Sequence, residues 1–242
     1  MQDKPTFQRS HSYDYTIDHA RYDAGLRQHM LRVYNYMLLG LVVTGGIAYY
    51  TSTNIALLQL LFATPLKWVV MLAPLGFVMV LSFGIARLSA GTAQFLFWLF
   101  CGVMGLSLAT IFLVFTGVSI VRVFFITSAM FAAMSLWGYT TQRDLSSMGS
   151  FLIMGLVGII IASIVNLFLG SSALHFAISV IGVLVFTGLT AYDTQRIKEL
   201  YQTAHGMQES NQKLAVMGAL SLYLNFINLF MMLLHLLGSQ RE

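Results

Sequence analysis

The 242-residue chain is 57% hydrophobic and 9% charged, with 13 Lys and Arg against 9 Asp and Glu and a formal net charge of +4. Soluble domains carry about 25% charged residues, and a chain this short cannot hide so much apolar side-chain area around one globular core. The composition therefore excludes an ordinary soluble enzyme, a disordered regulator and a disulfide-stapled secreted domain. The basic residues are scattered singly rather than gathered into a stripe, which argues against nucleic acid as a partner. A polytopic membrane protein remains.

In chain order, residues 1–29 are polar and interrupted by charge throughout. They read as a cytoplasmic tail, disordered before it meets the membrane, with no cleavable signal peptide. Residues 30–238 read as one seven-helix transmembrane domain. A bilayer core about 30 Å thick needs about 20 apolar residues in helix. Seven stretches reach that length: 33–50, 68–86, 93–115, 118–139, 150–169, 173–192 and 214–237. Helices satisfy every backbone group within the span, and these runs are apolar on all sides, so the expected fold class is all-α rather than a barrel.

Between the spans, the apolar patch from Ile55 to Phe62 is expected along the outer interface, and Pro74 interrupts the second span. Cys101 is the single cysteine and sits in an apolar run, so it reads as a small buried hydrophobe. Gly102 and Gly105 in the third span, and Gly155 and Gly158 in the fifth, offer flat surfaces for close helix packing. The 14 Met residues read as adaptable packing. With the N-terminus inside, ten basic residues (Lys4, Arg9, Arg21, Arg27, Arg32, Arg87, Arg143, Arg196, Lys198 and Lys213) fall on the cytoplasmic side and three (Lys67, Arg122 and Arg241) opposite. The positive-inside rule favours that orientation, and seven spans then put the C-terminus outside.

Two polar features stand out against this apolar background. Asp193 closes the apolar run from Ile178 to Tyr192 and is followed by Thr194, Gln195 and Arg196. It is either a boundary carboxylate paired with Arg196 or a proton- or cation-responsive group facing the bundle interior. In the seventh span Gly218, Ser221, Asn225, Asn228 and His235 fall on one stripe of an otherwise apolar helix. Such a line faces protein or a water-filled cavity, as interhelical hydrogen-bond glue or as the lining of a pore or sensor. Enzymatic readings are poorly supported: there is no HExxH helix, and Asp193 has no intramembrane aspartate partner. No catalytic residue and no cofactor is expected.

The segments GLTAYDTQRI at 188–197 and GALSLYLNFINLF at 218–230 resemble the transmembrane Bax inhibitor motif family, in particular its bacterial branch. LRVYNYM at 31–37, FGIARLSAGTAQ at 83–94 and GYTTQRDLSSMGSFLIMGL at 138–156 extend the resemblance, which runs from about Gly25 to Gly238. It implies a bundle with the seventh helix at its centre and a pH-sensitive calcium leak, gated by two aspartates on the sixth and seventh helices that share a proton. Asp193 matches the sixth-helix aspartate and Arg87 the arginine set against the pair, while the seventh-helix aspartate falls on Asn225. That departure removes the like-charge repulsion of a two-carboxylate site and one charge from a calcium site made of Asp193 and Asn225.

The expectation is a leak with weakened or acid-shifted pH control, with calcium as the transported ion. The lining would be Ser221, Asn228 and His235, and the setting a bacterial inner membrane. The alternative is a non-conducting regulator that binds other membrane proteins or a protease in stress response and quality control. One difficulty concerns depth: Asn225 lies about 16 Å into its span, whereas Asp193 reads as near the boundary. The two meet only if the sixth helix continues past Arg196 and starts later on the outer side, or if the seventh enters obliquely.

Overall fold

A computed structural model describes the backbone of residues 7–203 and 208–241 and the side chains of residues 23–203 and 211–241. The elements in chain order are α1 (Phe7–Thr53), α2 (Ile55–Phe62), α3 (Leu66–Gly84), α4 (Ala90–Leu108), α5 (Ile111–Val114), α6 (Gly117–Thr140), α7 (Ser146–Leu169), α8 (Ser172–Thr203) and α9 (Gln208–Leu237). Among the described residues seven helical stretches are long and apolar enough to cross a membrane, and they overlie the seven predicted spans. The fold is an all-α transmembrane bundle.

Short polar residues set the helix ends. Asn54 Oδ1 accepts from the Leu57 amide at the start of α2, Ser89 Oγ from Thr92 at α4, and Thr116 Oγ1 from Ser119 at α6. Each satisfies an amide that a helix start leaves without an internal partner. The α7 C-terminus closes on Gly170 at φ +61°, a left-handed conformation that costs a residue without Cβ little. Asp144 lies in the connection before α7 and accepts from the Ser146 amide at 2.8 Å. That bond, with one from the Ser146 hydroxyl, holds its carboxyl below the ordinary 3.8.

The helix α9 occupies the centre and packs against α1, α4, α6 and α8. Within its most apolar stretch 56% of residues are buried, against 11% in α7, which lies at the periphery. Tyr223 is fully buried at the middle of α9, with Phe100 and Phe97 edge-on to its ring at 5.3 and 6.3 Å. Its hydroxyl meets Thr44 Oγ1 at 2.7 Å, and Thr44 in turn donates to the Cys101 carbonyl at 2.9 Å. This burial is tolerable because each polar group has a partner. Cys101 itself is 0% exposed and packs as a hydrophobe.

Glycines permit two of the closest approaches. Gly138 on α6 lies so near the Ala191 backbone that a Cβ would overlap the Ala191 carbonyl, and Gly105 on α4 is met by the Thr44 carbonyl and the Ile47 side chain of α1. Gly158, expected as a packing surface, has nothing within 4 Å of a Cβ position, so it makes no such contact.

The expected boundary between tail and bundle at residue 30 falls inside α1. Leu26 and His29 are already buried, at 6% and 4% exposure, and continue with Met30, Val33 and Met37 as one face at helical spacing. The bundle's packing thus begins before the first membrane-length apolar run. Residues 1–6 of the expected tail lie outside the described residues. At the other end of the chain, α9 does not fold back. The segment after it pairs with the connection before α6, through Thr116 N to Ser239 O at 3.0 Å, Arg241 N to Val114 O at 2.9 Å, and Ser239 N to Ser119 Oγ at 2.8 Å.

Candidate functional site

Asp193 and Asn225 are in contact: the Asn225 amide Nδ2 donates to Asp193 Oδ2 at 2.7 Å. Of the first of the two routes one half is met: the helix continues past Arg196, but it starts at Ser172 rather than later. The helix α8 runs to Thr203, ten residues past Asp193, so about 15 Å of helix lies between the carboxylate and that end. The polar segment after Asp193 stays helical because Thr194, Ile197 and Tyr201 recur on one face and are all buried. The carboxylate is therefore drawn into the bundle, level with the middle of α9.

Asn225 is 5% exposed and Asp193 half-buried. Asp193 lines a cavity of about 380 Å³ with His29 from α1, Ser82 from α3, Arg196 from α8 and Ser221 from α9. Arg196 is exposed, so the cavity reaches the surface at the end of the bundle that carries it. On the far side of Asn225 the central helix is tightly packed, with Phe226 at 3%, Leu229 at 0% and Phe230 at 8% exposure. The arrangement is a vestibule of mixed polar and apolar lining, with Asp193 in its wall and Asn225 bonded to Asp193.

The orientation of the amide follows from chemistry. An ionised carboxylate only accepts hydrogen bonds, so Asn225 must present its NH₂ group to it. The amide oxygen is then turned away from Asp193, and the pair offers a cation one carboxylate rather than two converging oxygen donors. Among the described residues no group of three or more His, Cys, Asp and Glu comes together as a metal cage. Calcium favours six to eight oxygen ligands, so Asp193 with Asn225 alone supplies too few donors for a resident calcium site.

The remaining site residues read from the sequence are dispersed. Ser221 lines the vestibule, one turn from Asn225. Asn228 turns its Nδ2 back to its own helix, donating to the Leu224 carbonyl at 2.8 Å. His235 is exposed at the opposite end, against His175. The polar stripe of α9 is thus not one continuous lining, because a membrane-spanning helix carries it from one end of the bundle to the other. Arg87 is exposed in the turn after α3 and is not among the residues that line the vestibule, to which α3 contributes Ser82 instead. The guanidinium that reaches Asp193 electrostatically is that of Arg196, three residues on along the same helix.

His29 was not legible as a site residue. It sits in the vestibule wall against Tyr201, with ring centroids 4.9 Å apart, and its Nε2 is buried without a hydrogen-bond partner among the described residues. The one available signal was its place beside Met30 on the face formed by Leu26, Val33 and Met37. Next to the vestibule, hydroxyls link three helices: Tyr34 to Ser135 at 2.6 Å and Ser135 to Thr194 at 3.0 Å, with Thr194 donating to the Thr190 carbonyl at 2.7 Å. Below them Gln195 clamps the connection between α6 and α7, accepting from the Leu145 amide at 2.9 Å and donating to the Arg143 carbonyl at 2.8 Å. These bonds fix α8 immediately after Asp193, at Thr194 and Gln195.

Residues 26–242 match the family model described as inhibitor of apoptosis-promoting Bax1. A protein of Rickettsia prowazekii is 51% identical over 227 residues, which cover 94% of this chain and 96% of the relative. The inner membrane protein YbhL of Escherichia coli is 47% identical over 220 residues, covering 90% and 94%. A protein of Caulobacter vibrioides is 48% identical over 229 residues, covering 91% and 92%.

Proposed function

We propose that this chain, which belongs to the Bax inhibitor family, is a passive cation leak, with calcium as its ion and the Asp193–Asn225 contact as its gate. The observation that carries the reading is the 2.7 Å hydrogen bond that joins Asn225 to Asp193, a carboxylate in the wall of a vestibule. Asp193 supplies the negative charge that draws a cation inward, Arg196 competes for that charge, and Ser221 offers a hydroxyl on the way in. The Phe226 and Phe230 side chains of α9 then have to move for an ion to pass. The Arg196 end faces the cytoplasm in this reading, supported by the positive-inside bias, and the membrane is the inner one, supported by the Escherichia coli relative.

Asn225 sets how the gate responds to pH. Two carboxylates in contact repel once both ionise, whereas an amide adds no charge, so the contact here has no repulsive state to switch into. A leak with weakened pH control follows. Calcium flux into liposomes reconstituted with the purified protein, measured from pH 5 to 8 for the parent, Asn225→Asp and Asp193→Ala, tests it. The expected result is a shallow pH profile for the parent and a steep one for Asn225→Asp, with parental flux altered by Asp193→Ala. A parent that is silent at every pH, with and without these substitutions, would discard the leak in favour of a non-conducting regulator that acts by binding other membrane proteins.

A further inference from the structure

The opposite end of the bundle holds a second polar cluster, remote from Asp193. His175 lies in the first turn of α8 and His235 in the last turn of α9. Their ring centroids are 4.7 Å apart with planes at 84°, and both residues are exposed. The two rings rim a cavity of about 450 Å³ that Asn166, Ser179 and Met232 also line.

We propose that His175 and His235 bind a borderline divalent transition-metal ion of the Zn²⁺ or Cu²⁺ class, which bridges the end of α9 to the start of α8. Imidazole nitrogens are the ordinary ligands of such ions. With each nitrogen about 2.1 Å from the metal and each ring centre about 1.1 Å farther, ligand angles of about 90–109° put the centroids about 4.5–5.2 Å apart. The observed 4.7 Å lies in that interval. An edge-to-face ring contact alone spans a similar distance. What favours a metal is the setting: two nitrogen-bearing rings from different helices, both accessible to water, at the rim of one cavity.

The surrounding donors fit the same ion. The Ser179 hydroxyl gives its proton to the His175 carbonyl at 2.9 Å, which leaves its lone pairs available. Met232 brings a thioether to the same cavity. Asn166 Oδ1 is already occupied by the Ser171 amide at 3.0 Å, so that side chain serves as wall rather than ligand. With no group of three His, Cys, Asp and Glu among the described residues, water completes the coordination, as at an open zinc site. Hard calcium, which selects oxygen, is not the ion for two imidazoles.

Titration of the full-length, tag-free protein in detergent with ZnCl₂ tests the site, read by calorimetry and by the shift in thermal unfolding. The expected result is one zinc per chain and a rise in melting temperature. Affinity should fall at least about tenfold in His175→Gln and in His235→Gln alike, with the double variant no worse than either, because one imidazole alone cannot bridge. His175→Cys, which keeps a zinc ligand, should retain binding, and Asp193→Ala should leave it unchanged, so this result is separable from the fate of the leak. Absence of stoichiometric zinc binding by the parent, or parental affinity in both glutamine variants, would overturn the proposal. The second outcome would place the zinc on other histidines.

Discussion

Replacing Asn225 with Asp sets a second carboxylate against the first. The Asn225 amide nitrogen lies 2.7 Å from Asp193 Oδ2. An isosteric carboxylate therefore brings two charge centres to about 4 Å, where an effective dielectric of about 20 gives a repulsion of about 4 kcal/mol. That is close to a thousandfold in an equilibrium constant. The repulsion exists only when both groups are ionised, since one shared proton removes it and rebuilds a hydrogen bond. The folded variant thus keeps a proton that its unfolded chain releases, so by linkage its stability relative to the parent falls as pH rises. For a chain of this size each kcal/mol moves the melting temperature by about 2–4 °C, so the gap between parent and variant should widen by on the order of 10 °C from pH 5 to pH 8. Thermal unfolding of both proteins in one detergent measures it. The exchange variant Asp193→Asn with Asn225→Asp restores a single carboxylate and should restore the parental profile. A gap that stays constant with pH, or an exchange variant that behaves like Asn225→Asp alone, would refute the coupling.

Gly138→Ala should destabilise the bundle by about 1–3 kcal/mol, because its Cβ meets the Ala191 backbone rather than a side chain that can turn aside. Gly158→Ala meets nothing and should leave the melting temperature at or above the parental one; equal behaviour of the two would refute the α6–α8 approach. Asp144→Ala should speed amide exchange at Ser146, which loses its carboxylate acceptor. Since that carboxyl titrates below the ordinary 3.8 in the folded chain, its bond to the Ser146 amide is fully present above that pH and is lost as pH falls through the lower folded value. The effect of Asp144→Ala should therefore be plain at pH 6 and fade as pH falls through that lower value, and an effect absent at pH 6 would refute the contribution of this bond.

What the sequence made legible is what membrane burial dictates locally. Seven apolar runs of membrane length give seven helices because no other structure satisfies the backbone in lipid. The polar line of the seventh needs protein around it, and Asn225 finds Asp193 there; its central place is what the family resemblance implied. Most of the misplacements are matters of long-range packing. Arg87 and Arg196 are both basic residues near the same end of the bundle, and periodicity cannot say which of them the turn after α3 points away. His29 looks like part of a charged, polar N-terminal segment, yet Leu26, Met30 and Val33 carry the helix into the bundle and the histidine with them. Asn228 fits the stripe by spacing but bonds its own backbone, a local alternative open to Asn anywhere in a helix. The meeting of His175 with His235 joins the start of one span to the end of another, and no local pattern announces it.

On the leak reading, the single amide at position 225 changes which agent can open the vestibule. While Asp193 is ionised, Asn225 donates its NH₂ to it; once Asp193 is protonated, the amide can turn and accept the new O–H with its oxygen. The contact therefore survives both protonation states, whereas two carboxylates hold together only while they share a proton. A proton is then a poor key for this latch. A cation is a better one, because it competes with the amide for the carboxylate oxygens. Arg196 lies on the same cavity and already acts on that charge, and removing its guanidinium takes away the resident competitor. On the leak reading, control passes from pH to the cation concentration at the Arg196 end. Calcium flux in Arg196→Gln should then rise at low calcium and converge on the parental rate at high calcium. A uniform change at all calcium concentrations would place Arg196 outside the gating competition.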